Sequence, residues 1–242
     1  MDFHILNLLA EIFSVLDLVA ISWFLGASIV YSWYAERGPN AHKSLSRHMD
    51  KQREAWLRVL LTRELRIIDT SIITGLQNGT AFFASASLLA IGGCFALLGS
   101  TEEVSRLLND LPIAIATQPA QWELKVIGLL LIFAYAFFKF GWSFRLWSYA
   151  SILLGAIPMP SEQDEAKSER CLQAALGMNK EAASHFNRGL RAFFFSLGFI
   201  GWFIGPVVFI LATTLIVFVL YRRQFHSGSV KAARLSLPDD TR

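Results

Sequence analysis

Four long apolar runs alternate along the chain with charged stretches that keep a helical spacing of apolar positions, which is how a helical protein embedded in a bilayer is written. The first run covers about 8–34, with Asp17 in its first half and Gly26-Ala27-Ser28 in its second. Trp33 and Tyr34 fit an interfacial belt at its end, and GPNAH (38–42) breaks it. No Lys or Arg precedes this run, and it is too long for a signal-peptide core, so it reads as a retained span. The second run, about 80–98, is rich in small residues from Ala84 to Gly93, which let helix backbones approach closely in lipid. A short, slightly acidic connector (100–121) with Pro112 and Pro119 leads to the third run, about 122–146, whose helix can extend to Leu154. GAIPMP (155–160) stops it, because proline cannot continue the helix ladder. The fourth run, about 190–221, contains Gly201-x-x-x-Gly205 followed by Pro206 and ends at Arg222 and Arg223.

Two of the intervening stretches are too charged to span a bilayer. Between 43 and 75, Leu45, Met49, Trp56, Leu60 and Ile67 recur at four- and seven-residue spacings, and Leu57, Leu61, Ile68 and Ile72 widen the same face. That predicts one amphipathic helix. A second is predicted over 162–187, with Ser161 as N-cap and Asp164 three residues on. The fold class is therefore all-α: an integral membrane helical bundle with about four transmembrane helices plus two amphipathic helices. It forms a single domain over 1–222, followed by a flexible basic tail (223–242).

Composition supports the bilayer reading. The 242 residues are 54% hydrophobic and 17% charged, against roughly 45–50% and about 25% in a soluble domain. A formal net charge of +3 leaves no footprint for nucleic acid. The expected contacts are membrane lipids and either further copies of the chain or another membrane protein. Eight Lys and Arg lie between Arg37 and Arg66, whereas the 100–121 connector holds only Arg106. The positive-inside rule then puts both amphipathic loops in the cytoplasm of a bacterial inner membrane and both termini outside, an orientation that the basic C-terminal tail opposes.

Candidate chemistry is sparse. Asp17 inside a span must face the bundle, either as an ion or proton site or as a buried pair, with Lys139 the partner considered. Lys139 and Arg145 sit where snorkelling to the interface explains both; the alternative is an anion or headgroup pocket completed by Arg63, Arg66 or Arg191. Arg63, Arg66 and Asp69 share a helix face. They form either a solvated stripe with an Arg66–Asp69 pair or a network tying this helix to span three or to Asn187, Arg188 and Arg191. Gly201 and Gly205 are candidates for close helix packing, within the chain or between copies. His4, His42, His48, His185 and His226 all fall outside the predicted spans, which argues against a haem held in the bundle. Cys94 and Cys171 have no metal-site or redox spacing, so neither a metal, a disulfide nor a cofactor is expected. Phosphate-binding glycine loops, a GxSxG elbow and a clear acid–base carboxylate pair are missing too.

Three blocks carry a resemblance: RELRIIDTSIITGLQNGTAFFASASLLAIGG (63–93), KFGWSFRLWSYASILLGAIP (139–158) and NRGLRAFFFSLGFIGWFIGP (187–206). In order and spacing they are similar to the blocks of the domain-of-unknown-function 599 (DUF599) family, four-span membrane proteins of bacteria and plants. Family members often read Asn-Ser where this chain has Asn78-Gly79, which leaves the helix-edge reading intact. The resemblance implies the fold and the spans and carries no catalytic residue. Two function classes follow from the sequence: an oligomeric channel or transporter-like protein for a small ion or solute, and a non-catalytic accessory or scaffold subunit of a membrane complex.

Overall fold

The computed structural model describes residues 13–100, 118–162 and 164–235. Seven α-helices and no strand occur among them. They are α1 (Val15–Arg37), α2 (Leu45–Leu60), α3 (Ile67–Gly99), α4 (Pro119–Gly155), α5 (Glu165–Ile204), α6 (Pro206–Phe225) and α7 (Gly228–Leu235). Helices α1, α3, α4 and the stretch from Pro206 are long and apolar enough to cross a membrane. The chain is an all-α membrane protein with the expected four span-like helices.

Local sequence sets most of the helix ends. Ser14 and Asp17 form a capping box at the start of α1: the Asp17 amide donates to Ser14 Oγ at 3.2 Å, and the Asp17 carboxylate accepts from the Ser14 amide at 3.2 Å. The first span thus begins at Val15; its predicted residues 8–12 lie outside the described ones. Pro119 opens α4, where its missing N–H costs nothing. Helix α5 is capped by Asp164, whose carboxylate accepts from the Lys167 amide at 2.9 Å, three residues later than the Ser161 cap expected from sequence.

Three elements differ from the sequence reading. The amphipathic helix expected over 43–75 is two helices. The chain tightens at Leu61–Arg63 through bonds to the carbonyls of Arg58, Val59 and Leu60, then restarts at Ile67 as the head of α3. Side-chain bonds described below hold that elbow, and they override a periodicity that runs through it. The span expected over 190–221 is also two helices. Helix α5 runs unbroken from its polar start to Ile204, and the chain reverses at Gly205-Pro206 into α6. Proline has no N–H for the α5 ladder, so the helix stops there. The tail is the third: Val230 and Ala233 of α7 are buried, and α7 packs on α2.

By internal packing the chain divides into two units. The first comprises Met1–Trp33, Ala86–Ala136 and Arg191–Tyr221. Within it α6 returns antiparallel along α5. A Cβ on Gly201 would stand 3.1 Å from Ala212 Cβ and 3.2 Å from the Val208 carbonyl, so any larger residue would push these neighbours back by a few tenths of an ångström. Trp202 stacks on Phe209 with ring centroids 5.4 Å apart. Phe24 of α1 meets Phe199 and Phe209, and Trp122 of α4 meets Phe203. Gly201 therefore serves a contact inside the chain, and Gly205 marks the reversal.

The second unit comprises Tyr34–Ser85, Phe137–Leu190 and Arg222–Arg242. Its core gathers Leu57 and Leu60 of α2, Ile73 of α3, Trp147 and Leu154 of α4, and Leu172 and Leu176 of α5. The apolar stripe of α2 thus packs on partner helices. Ser143 Oγ donates to the Ala182 carbonyl at 2.7 Å, and a Cβ on Gly189 would fall 2.8 Å from the Phe140 ring. Asn187 and Gln224 both donate to Ser46 Oγ, at 3.3 and 2.9 Å. The stretch from Arg222 to Leu235 is therefore tied into the same unit as both charged loops. By sequence, 19 of the 22 Lys and Arg fall in the second unit against 12 of the 19 Asp and Glu, a net charge of +7. The first unit holds 3 cations and 7 carboxylates, a net charge of −4.

Candidate functional site

The buried polar groups of the first unit converge on Trp202. This follows from a missing donor. In α5 the Trp202 carbonyl would pair with the amide of residue 206, and residue 206 is proline. The orphaned carbonyl accepts instead from Lys125 Nζ of α4 at 3.1 Å. That ammonium also lies 5.3 Å from the centre of the Trp202 ring, a cation–π contact. On its other side the indole N–H of Trp202 donates to Asp17 Oδ1 at 2.7 Å. Asp17 Oδ2 accepts from Ser14 Oγ at 2.6 Å. One tryptophan thus links the head of α1, the head of α4 and the α5–α6 reversal. Lys125 and Asp17 are both almost fully buried. Their opposite charges face the same indole, which reduces the cost of burying either one.

This arrangement reassigns Asp17. It sits in the first turn of its helix, and both carboxylate oxygens are committed to hydrogen bonds. Lys139, the partner considered from sequence, belongs to the second unit, and the cation beside Asp17 is Lys125. As a feature of the sequence, Lys125 does no more than mark the entrance of the third apolar run. The available signal was the proline four residues after Trp202.

The second unit has its own cluster at the α2–α3 elbow. Asp69, 1% exposed, accepts from Arg63 Nη1 at 2.7 Å and from Trp56 Nε1 at 2.7 Å. Arg66 reaches the other way, donating to the carbonyls of Ile157 and Pro158 at 2.6 and 2.7 Å. Asp69 therefore pairs with Arg63, in place of the Arg66–Asp69 pair. Arg66 ties the head of α3 to the chain beyond span three, one of the connections considered from sequence. Nearby, Asp50 and Arg53 pair at 2.9 Å. Burial pushes the Asp50 carboxyl above its usual range despite the flanking Arg53, Arg47 and Lys180, and it pulls the Arg53 guanidinium below its own.

The remaining sequence candidates are dispersed. Arg145 stacks over Tyr149. Asn187 binds Ser46, and its neighbour Arg188 grips Glu36 with two parallel bonds of 2.9 and 2.8 Å. Lys139 stands among the charges around His185, and Arg191 lies in the first unit. Burial, then Lys139 and Arg188, hold the His185 imidazole below its usual value. Asn179 is fully buried on the core face of α5, and neither polar atom of its amide has a hydrogen-bond partner. No three His, Cys, Asp or Glu side chains among the described residues come together as a metal-ligand set.

Both clusters are built to fasten helix ends. No curated protein and no solved structure matches the chain. The family described as "Protein of unknown function, DUF599" matches residues 19–229. That stretch includes Lys125, Trp202, Asp69 and Arg66, and the chain belongs to this family of integral membrane proteins.

Proposed function

We propose that this integral membrane protein is a non-catalytic accessory or scaffold subunit of the bacterial inner membrane, with its second unit on the cytoplasmic side. The observation that carries the reading is the commitment of Asp17. The carboxylate best suited to an ion or proton site spends both oxygens on Trp202 and Ser14. The cytoplasmic assignment draws on charge: the unit with net +7 collects both charged loops and the C-terminal stretch, in keeping with positive-inside topology. Its basic residues suit anionic lipid headgroups at the membrane edge and an acidic surface on a partner membrane protein.

A pore shared between copies, passing a small ion or solute, is the second reading, and the uncharged outer face of α3 favours it. Proteoliposome flux of the wild type beside Asp17→Asn separates the two. The scaffold reading expects no flux above empty liposomes and a reduced yield of folded Asp17→Asn. Wild-type flux that vanishes in a normally folded Asp17→Asn protein would overturn it.

A further inference from the structure

Helix α3 has 33 residues, about 50 Å at 1.5 Å per residue, against a hydrocarbon layer of about 30 Å. Some 13 residues therefore extend past the lipid. The apolar run begins near residue 80, so the excess is the head of the helix, in the second unit. From Ile67 to Gly99 its sole Asp, Glu, Lys, Arg or His is Asp69, which is buried. The outward face of the head is thus free of charge in a unit otherwise crowded with it.

That face is well defined. Ile68, Ile72 and Phe82 are exposed, and a Cβ on Gly75 or Gly79 would meet nothing within 4 Å. The Thr70, Ser71 and Thr74 hydroxyls donate to carbonyls of their own helix. Asn78 is exposed, and its amide has no hydrogen-bond partner among the described residues. Water does not favour such a face, and lipid does not reach its whole length.

We propose that a second copy of this chain covers the outer face of α3, the two α3 helices running parallel about an axis along the membrane normal. Copies inserted in one membrane share an orientation, so a helix lining a symmetry axis meets itself position by position. Such a face must carry no charge, since every charge would face its like. It must be shallow enough for close approach, which Gly75 and Gly79 supply. Any strongly polar group on it must pair with itself, and an asparagine amide both donates and accepts. The α3 face meets all three conditions. The contact is independent of whether the assembly docks partners or conducts.

Disulfide trapping in native membranes tests it, with Cys94→Ala and Cys171→Ser as background. Under mild oxidation Asn78→Cys should give a dimer band at least ten times that of Val219→Cys, an exposed control position on α6. Equal trapping at the two positions, or an Asn78→Cys adduct to a different protein in place of the dimer, overturns the proposal. Gly79→Leu adds bulk where the single chain has open space, so it leaves the fold intact. Native mass spectrometry from mild detergent should then show the wild-type oligomer lost to monomer in Gly79→Leu. An unchanged oligomer fraction, or a wild type that is monomeric throughout, refutes it.

Discussion

Replacing Lys125 by Met keeps the length of the side chain and removes the ammonium, so it isolates what the charge does at Trp202. Two contacts disappear: the 3.1 Å bond to the Trp202 carbonyl and the cation–π contact at 5.3 Å. A hydrogen bond from a charged donor contributes about 1.5–3 kcal/mol. A desolvated cation–π contact adds about 1–2 kcal/mol. Opposing these, methionine no longer holds a charge out of water, which returns a few kcal/mol. Two costs remain. The carbonyl is orphaned, because Pro206 supplies no amide, and Asp17 keeps its charge beside an indole with no cation across it. The net loss expected is about 2–3 kcal/mol, roughly a 30- to 140-fold shift in the unfolding equilibrium. Thermal unfolding in mild detergent, followed by tryptophan fluorescence, should show a midpoint lower by roughly 5–10 °C. Adding Asp17→Asn removes the uncompensated charge, so the double variant should lose less than the two single losses combined. A Lys125→Met protein as stable as the wild type, or strict additivity with Asp17→Asn, would refute the argument.

Other outcomes follow from the same contacts. Gly201→Val forces a branched side chain where the neighbouring Ala212 Cβ is 3.1 Å away; overpacking should cost about 1–3 kcal/mol, read as a lower unfolding midpoint. His185 has a depressed value in the folded protein, so its contribution to stability is complete above the unfolded value of 6.5 and is lost as pH falls below it. His185→Gln should flatten that acid-side decline, measured as unfolding midpoint against pH; an unchanged slope would mean that another group titrates. A reporter fused after residue 242 should read the same compartment as one inserted at 156–164, and opposite readings would break the assignment of α7 to the loop layer. Arg66→Ala removes two bonds to the Ile157 and Pro158 carbonyls. Trypsin should then cut the α2–α3 elbow faster in detergent, with an unchanged cleavage rate counting against the tie.

The spans were legible because lipid imposes a long apolar run on any helix that crosses it, and no tertiary contact is needed to read such a run. The misread elements are those where tertiary hydrogen bonds decided the outcome. The apolar periodicity of α2 continues past Leu60 to Ile67, yet Arg63 and Arg66 pull the chain aside to reach Asp69 and the Ile157 carbonyl. Partners 91 residues apart leave no local mark. The break at Gly205-Pro206 was written in the sequence, but a proline inside an apolar run is also compatible with a kinked single span. The stacking of Trp202 on Phe209 and the approach of Ala212 to Gly201 distinguish a reversal. Asp17 was recognised without its partner, since the Trp202 indole that it binds lies 185 residues away. Lys125 was seen without its partner for the same reason as Arg66: the carbonyl it serves is 77 residues away.

The reversal at Gly205-Pro206 also bears on how the chain enters the bilayer during synthesis. The apolar end of α5, from Leu190 to Ile204, has 15 residues, about 22 Å of helix, short of the roughly 30 Å needed to be retained alone. It leaves the ribosome behind a charged segment and ahead of 20 residues of α6. The insertion machinery therefore meets a hairpin, and α5 becomes stable in lipid only once α6 has emerged to lie against it. In the orientation proposed above, Arg222 and Arg223 follow immediately on the side of synthesis, and the tip around Gly205 is the part of this hairpin to be translocated.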